Sequence, residues 1–211
     1  MNKNDIKVVT PCPVGWLDYK LNSQEMDYVW RCIKNKKADY KESLAGNISA
    51  SYGLQDRSNW FWMNTIRPLM VKYNDEFSNL GSRLPTNQEH PYYMSSWWVN
   101  YQKQNEFNPL HNHSGVYSFV IWMKIPFKWD EQNKKDIART SNYPQISTFE
   151  LVYVNIMGEI STYSYKLNPT DEGLMLFFPS QLNHQVYPFY DCDEDRISVS
   201  GNVALNTTKV A

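Results

Sequence analysis

Residues 173–205 read GLMLFFPSQLNHQVYPFYDCDEDRISVSGNVAL, and their pattern decides the predicted fold class. Three short runs rich in apolar, β-branched and aromatic residues are separated here by polar, turn-forming residues. Runs of this length that are bounded by Gly, Pro, Asn and Asp are typical of β-strands. Four similar runs precede them from Tyr92 onward, namely YYMSSWWVNYQ, GVYSFVIWMKI, STFELVYVNI and STYSYKL. Strands at such close intervals predict an antiparallel jelly roll rather than alternating β-α-β units.

The segment before these strands has the spacing of helices. In NSQEMDYVWRCIKNKK, Asn22 is the predicted N-cap and Glu25 completes a capping box. A second helix is predicted to begin at Ser58 and to run to Leu80, with Pro68 either kinking it or lying in its first turn.

Two polar stretches, residues 41–59 and 128–145, are predicted loops, and the second is expected to lie over one end of the barrel. The chain of 211 residues is therefore expected to form a single domain. Residues 1–90 would be a mainly helical support region, and residues 91–206 would be the jelly-roll core.

The composition argues against a protein that binds duplex nucleic acid, a disulfide-rich protein and a membrane protein. Lys and Arg number 21 and Asp and Glu number 22, which gives a net charge of -1 and no broad positive field for duplex nucleic acid. Cys12, Cys32 and Cys192 are odd in number and widely spaced, so free thiols are expected rather than a disulfide framework. Neither a signal-peptide core nor a membrane span is visible, and we expect a soluble, cytoplasmic protein.

Two of the four histidines, His111 and His113, are separated by one residue. On a strand these positions share one face, where two imidazoles could chelate one metal ion. His184, at the opening of another predicted strand, could supply a third ligand. The alternative is that each histidine is a hydrogen-bonded or solvent-exposed side chain without a metal, which is how we interpret His90 in its predicted loop.

Arg196 follows His184 by 196 − 184 = 12 residues, the length of one hairpin. Arg196 and Ser198 share one strand face, where a guanidinium and a hydroxyl could bind a carboxylate ligand. The alternative is a structural ion pair between Arg196 and one of the nearby acidic residues Asp191, Asp193, Glu194 and Asp195.

Together, PLHNHSGVYSFVIWMKIP and EGLMLFFPSQLNHQVYPFYDCDEDRISVSGNVAL resemble the Fe(II)/2-oxoglutarate-dependent oxygenases. The resemblance is closest to a bacterial and phage branch and covers about half of the chain, from Trp97 to Leu205. It implies a mostly β fold with N-terminal helices, a double-stranded β-helix (jelly roll, cupin-like) buttressed by those helices.

The same resemblance implies roles for individual residues. His111 and His184 match iron ligands, and Arg196 with Ser198 matches the site of the distal carboxylate of 2-oxoglutarate. His113 stands where the family usually has an Asp or Glu, so the implied ligand set is three neutral imidazoles. Asn100 and Tyr117 are further candidates for contacts to the co-substrate.

The implied activity is that of a hydroxylase that uses Fe(II), dioxygen and 2-oxoglutarate on an unknown organic or peptidyl substrate. A second reading is a cupin-like metalloenzyme that does not use 2-oxoglutarate. A third is a jelly-roll binding or structural protein without a catalytic metal, because one fold can carry unrelated functions.

Overall fold

The computed structural model describes residues 14–37 and 46–209. Cys12 and most of the N-terminal segment therefore lie outside the described residues, as does part of the predicted loop at 41–59. Cys32 and Cys192 are free thiols, as expected. Within the described ranges, no helix has the length and apolar character needed to cross a membrane.

Ten strands lie in the described residues. They are β1 (Leu17–Lys20), β2 (Ala50–Gly53), β3 (Tyr92–Gln102), β4 (Asn108–His111), β5 (Tyr117–Lys124), β6 (Phe149–Val154), β7 (Ile160–Tyr165), β8 (Leu174–Pro179), β9 (Asn183–Val186) and β10 (Arg196–Leu205). All seven predicted strand runs contain a strand, and β3 and β10 have the predicted bounds. The prediction missed β1, β2 and β4, each of four residues.

The strands form two antiparallel sheets. The major sheet has the order β1-β8-β5-β10-β3-β2, and the minor sheet has the order β4-β9-β6-β7. Neighbours in the sheets are often distant in sequence, as in the long β10–β3 ladder from Arg196↔Gln102 to Leu205↔Tyr92. This is a double-stranded β-helix, and the predicted fold class is confirmed.

The helices of the N-terminal region pack on the outer face of the major sheet. The first helix, α1 (Ser23–Lys34), begins with the predicted capping box: Asn22 accepts from the Glu25 amide at 3.0 Å, and Glu25 accepts from the Asn22 amide at 2.9 Å. The predicted second helix is divided. Its α-helical part is mainly α2 (Arg67–Glu76), which a π-helical turn at Trp62–Ile66 separates from a short α-helical start at Trp60 and Phe61.

Proline explains the division of the second helix. Pro68 is the second residue of α2 and lacks the N–H that an uninterrupted helix would require there. The Arg67 amide donates to Trp62, five residues back, in the wider π pattern. Pro68 therefore lies in the first turn of α2, one of the two predicted outcomes.

The predicted loop at 128–145 contains two short helices, α3 (Trp129–Gln132) and α4 (Asp136–Arg139). The Gln132 side chain is buried, accepts from the Tyr190 amide and donates to its carbonyl, each at 2.9 Å. Side-chain bonding to the neighbouring segment thus orders a stretch whose polar composition indicates only a loop.

The major sheet separates two hydrophobic cores. On β5, Phe119 and Ile121 pack toward the helices with Phe61 and Tyr73, while Val120 and Trp122 face the minor sheet. Seven of the eight β5 residues are buried, because both faces of this strand are covered. The space between the two sheets, next to the second core, is where the candidate site lies.

A buried carboxylate joins α1 to the rest of the fold, and its removal is the first testable change. Glu25 is 3% exposed and accepts hydrogen bonds from Tyr19 on β1 (2.8 Å) and from Thr65 (2.7 Å), besides the capping bond. Glu25→Ala should lower the free energy of unfolding by about 2–4 kcal/mol, because a cap and two charge-assisted bonds are lost. Urea denaturation followed by circular dichroism measures this change.

The matched control is Glu76→Ala on α2. Glu76 forms an exposed ion pair with Lys72, so the change should stay within about 0.5 kcal/mol. Equal losses in the two variants would contradict a special role of Glu25.

Candidate active site

The register of the minor sheet brings two histidines together. His111 is the last residue of β4 and lies directly opposite His184 on β9, with ring centroids 4.3 Å apart. Only His111 is on the strand, because β4 ends there and His113 lies in the irregular segment between β4 and β5. The expectation that His111 and His113 share a strand face is therefore wrong, although their rings do converge.

Backbone contacts place His113 beside the other two rings. The His113 amide donates to the Ser180 carbonyl at 2.8 Å, next to the turn that leads into β9. Gly115, with φ of 116°, then turns the chain into β5; a β-carbon there would lie 2.8 Å from the Val203 carbonyl oxygen. The His113 ring lies 5.1 Å from His111 and 5.0 Å from His184 between centroids.

Among the described residues, these three histidines form the one group with the spacing of a metal site. Their candidate ligand atoms all lie within 4.8 Å of one another. Metal–imidazole bonds are about 2.0–2.1 Å long, so two nitrogens on one ion are at most about 4.2 Å apart. Three nitrogens on one ion are closer still, about 3–3.6 Å apart, so an inward shift of each ring by roughly an ångström would let them share one ion.

Hydrogen bonds fix the ring tautomers of two of these histidines. His111 Nδ1 lies 2.7 Å from the Pro109 carbonyl oxygen, and His184 Nδ1 lies 2.9 Å from that of Leu182. A carbonyl can only accept, so each Nδ1 carries the proton and each Nε2 keeps its lone pair. This second contact of the ring is typical of metal-binding histidines.

Burial keeps the imidazoles neutral. It lowers the pKa of His184 to about 3 and that of His113 to about 4, with a further lowering of both from His111. Burial also lowers the pKa of His111. At neutral pH the three rings are uncharged and can donate lone pairs to a cation.

The guanidinium of Arg196 is buried at the other end of the same space, 2% exposed. It donates to Gln102 Oε1 at 2.7 Å, to the Ser147 carbonyl at 3.1 Å and to the Tyr187 carbonyl at 3.2 Å. Of its five N–H groups, 5 − 3 = 2 are left without a partner among the described residues.

Arg196 forms no ion pair with any described carboxylate. Of the candidate partners, Asp191 pairs with Lys135 and Glu194 pairs with Lys124. Burial lowers the pKa of Arg196 to about 9, and no neighbouring acid offsets this shift. The proposed structural ion pair is therefore wrong, and Arg196 keeps unused capacity for an anion.

One cavity of about 330 Å³ joins the histidines to Arg196. The cavity is lined from β10 by Ser198, Ser200 and Asn202 and from β3 by Trp98 and Asn100. The face of β10 that was predicted to carry Arg196 and Ser198 is therefore the face toward the cavity. Apolar side chains surround His184, with the rings of Phe178 and Phe149 at 5.1 and 5.6 Å. Other lining residues include Val120, Trp122 and Val186.

The structure separates Tyr117 from this cavity. Its ring packs in the helix-side core, 5.1 Å from both Tyr73 and Phe177, and its hydroxyl donates to Asn74 at 2.8 Å. Tyr117 faces the helices because it alternates with Ser118, whose hydroxyl bonds Asn202 on the cavity side. The geometry does not support the assignment of Tyr117 to co-substrate binding.

Gln102 is a site residue that the sequence reasoning missed. It lies opposite Arg196 in the β10–β3 ladder and is 3% exposed. Its oxygen accepts from Arg196, and its nitrogen donates to the Glu106 carbonyl at 2.6 Å, which fixes the orientation of the amide. The sequence does contain a signal for Gln102: it is two residues from Asn100 on the same predicted strand, so both side chains lie on one face.

The comparisons with known proteins agree with this arrangement. A family model described as "Putative 2OG-Fe(II) oxygenase" matches residues 96–202, about half of the chain. No curated protein matches the sequence.

Among solved structures, the chain is similar to a Pseudomonas putida prolyl-4-hydroxylase, with 13% identity, a TM-score of 0.53 and coverage of 92% of this chain and 94% of that one. It is also similar to a Burkholderia pseudomallei oxidoreductase of the 2OG-Fe(II) oxygenase family, with 12% identity, a TM-score of 0.54 and coverage of 90% of this chain and 85% of that one. A third similar structure is a Trichoplax adhaerens prolyl hydroxylase solved with a hypoxia inducible factor peptide. The identity is 12%, the TM-score is 0.52, and the match covers 90% of this chain and 82% of that one. At these identities the likeness shows the fold.

Removal of the Gln102 amide, the neutral acceptor of Arg196, should destabilise the fold because the guanidinium stays buried. Gln102→Leu should lower the free energy of unfolding by about 1.5–3 kcal/mol, because a buried charged donor loses its shortest hydrogen bond. Gln24→Leu, at an exposed position of α1, is the control and should change it by about 0.5 kcal/mol or less. Unchanged stability of Gln102→Leu in urea denaturation would show that Arg196 does not depend on this contact.

Proposed function

The chain belongs to the 2OG-Fe(II) oxygenase family, and we propose that it is a hydroxylase in which His111, His113 and His184 bind the iron and Arg196 binds 2-oxoglutarate. The family assignment makes it an oxidoreductase that uses Fe(II) and 2-oxoglutarate. The observation that carries the proposed roles is the cavity that links three neutral imidazoles to a buried guanidinium, which has no counter-ion among the described residues.

The three histidines fit Fe(II) by their donor chemistry. Imidazole nitrogen is a suitable ligand for Fe(II), and the ring tautomers present Nε2 of His111 and His184 as free donors. His113 takes the position at which the resemblance leads one to expect a carboxylate. When bound, the iron supplies the chemistry that couples oxidative decarboxylation of 2-oxoglutarate to oxidation of a C–H bond.

Arg196 fits the distal carboxylate of 2-oxoglutarate. Two of its N–H groups have no partner among the described residues, and an ionised carboxylate would accept from them in a charge-assisted bond. Ser198, the next residue on this strand face, lines the same cavity and offers a hydroxyl.

Asn100 completes the proposed co-substrate contacts. It is opposite Ser198 in the ladder, and its side-chain oxygen accepts from Ser51 at 2.7 Å. Its amide nitrogen, which has no hydrogen-bond partner among the described residues, is thus left as a donor.

The apolar side chains around His184 have a separate task in this proposal. Val120, Trp122, Phe149 and Phe178 exclude water from the reacting end, which keeps an oxidising intermediate from side reactions. The substrate is an organic or peptidyl molecule. Because two of the similar structures are described as prolyl hydroxylases, peptidyl proline is one substrate class to test.

Anaerobic titration with Fe(II) and 2-oxoglutarate tests the proposed function. A weak visible charge-transfer band should form only when both are present, and admission of dioxygen should bleach it while succinate is formed. Metal binding that is indifferent to 2-oxoglutarate would favour the cupin-like alternative instead.

His184→Ala should abolish stoichiometric Fe(II) binding, because His184 is the most buried of the three proposed ligands and lies opposite His111. Equilibrium dialysis under argon measures the bound metal. His90→Ala is the control: His90 does not line the cavity, and its Nδ1 contacts the Lys209 carbonyl at 2.7 Å. Equal iron contents in the two variants would refute the proposed ligand set.

Arg196→Leu should retain iron but raise the Kd for 2-oxoglutarate about 10- to 150-fold, which corresponds to the loss of a charged hydrogen bond worth about 1.5–3 kcal/mol. The charge-transfer band provides the titration signal. Arg139→Leu, at an exposed position of α4, is the matched control and should bind as wild type. Wild-type affinity in Arg196→Leu would reduce this residue to a structural role.

A further inference from the structure

Among the described residues, no acidic side chain lines the cavity. Its described lining contains Arg196 and the three histidines but neither Asp nor Glu. The buried acid nearest to His184 in the ladders, Glu150, is paired with Gln185 on the alternate face of β9. Its carboxylate accepts from Ser164 at 2.7 Å and from Gln185 at 2.9 Å, so it does not balance charge in the cavity.

The charges in the loaded site do not cancel. If the proposed function holds, Fe(II) brings +2, Arg196 brings +1 and 2-oxoglutarate brings −2, which leaves 2 + 1 − 2 = +1. A carboxylate in the place of His113 would bring this sum to zero. An uncompensated charge in a buried space is unfavourable, and the low local dielectric strengthens the attraction of an opposite charge.

The cavity also has neutral donors to spare. The amide nitrogen of Asn100 and the hydroxyls of Ser198 and Ser200 make no hydrogen bond with another described side chain or backbone group, yet all three residues line the cavity. 2-Oxoglutarate is expected to use part of this set at the Arg196 end. Because the proposed co-substrate contacts use Asn100 and Ser198, the Ser200 hydroxyl is the donor that remains, and it suits a further anion more than an apolar group.

We infer that the cavity takes one more negative charge beside 2-oxoglutarate, from a small inorganic anion or from a carboxylate that the substrate itself carries. This inference rests on the proposed function. Where the substrate supplies the charge, it also gives the substrate class: an acid, or a peptide with an acidic side chain next to the oxidised position. His113 is the cause of this charge balance, because its neutral imidazole does not bring the negative charge that a carboxylate ligand would bring.

Acetate and acetamide, which are similar in size and differ in charge, test the inference. The protein is loaded with Co(II) in place of Fe(II) and with 2-oxoglutarate, under argon, and each probe is titrated while the visible Co(II) spectrum is recorded. Acetate should cause a saturable change with a Kd at least about tenfold below that of acetamide. A chloride titration separates the two sources: binding of chloride as well indicates a small anion, and binding of acetate alone indicates a carboxylate.

The variant His113→Asp supplies the missing charge within the protein. It should weaken acetate binding by about tenfold or more, whereas His90→Asp, the same substitution outside the cavity, should leave it unchanged. Equal responses to acetate and acetamide in the wild type, or no response to either, would overturn the inference while Co(II) and 2-oxoglutarate still bind. Failure of the metal and 2-oxoglutarate to bind at all would instead contradict the proposed function.

Discussion

The buried guanidinium of Arg196 is the constraint on which the site depends. A positive charge that is 2% exposed and has no carboxylate partner in the described part of the chain is costly, and here three neutral oxygens and two flanking aromatic rings, Phe127 and Phe189, partly compensate for it. Neutral acceptors hold the group in place without cancelling its charge. The arrangement is therefore stable enough to fold and still able to attract an anionic ligand.

The register of the strands brings the other residues of the site together. One pairing places His111 against His184 in the minor sheet, and another places Arg196 against Gln102 in the major sheet. A slip of one residue in either ladder would move these side chains to the opposite face. Because the two sheets enclose one cavity, the proposed metal ligands and the guanidinium proposed to bind the anion are held at fixed positions by backbone hydrogen bonds rather than by the side chains themselves.

The sequence was sufficient for the longer strands, whose β-branched and aromatic residues signal them directly, and for the spacing of His184 and Arg196. It was insufficient for β1, β2 and β4, since LDYK, ASYG and NPLH contain Asp, Lys, Gly or Pro and become strands only beside an existing ladder. The contacts of Arg196 with Gln102 and with the Ser147 carbonyl span 94 and 49 residues, and no local pattern predicts a pairing of that length. Tyr117 was misassigned because its position near the histidines in sequence does not reveal which side of β5 it occupies.

The two-sided burial of the major sheet has a consequence for protein engineering. On β10, Val199 and Val203 contribute to the helix-side core, while Ser198 and Ser200 face the cavity. A mutant library confined to the first set should vary thermal tolerance and leave chemistry largely intact. A library confined to the second set should alter ligand binding in the cavity at little cost in foldability, so that stability and binding can be optimised in separate rounds.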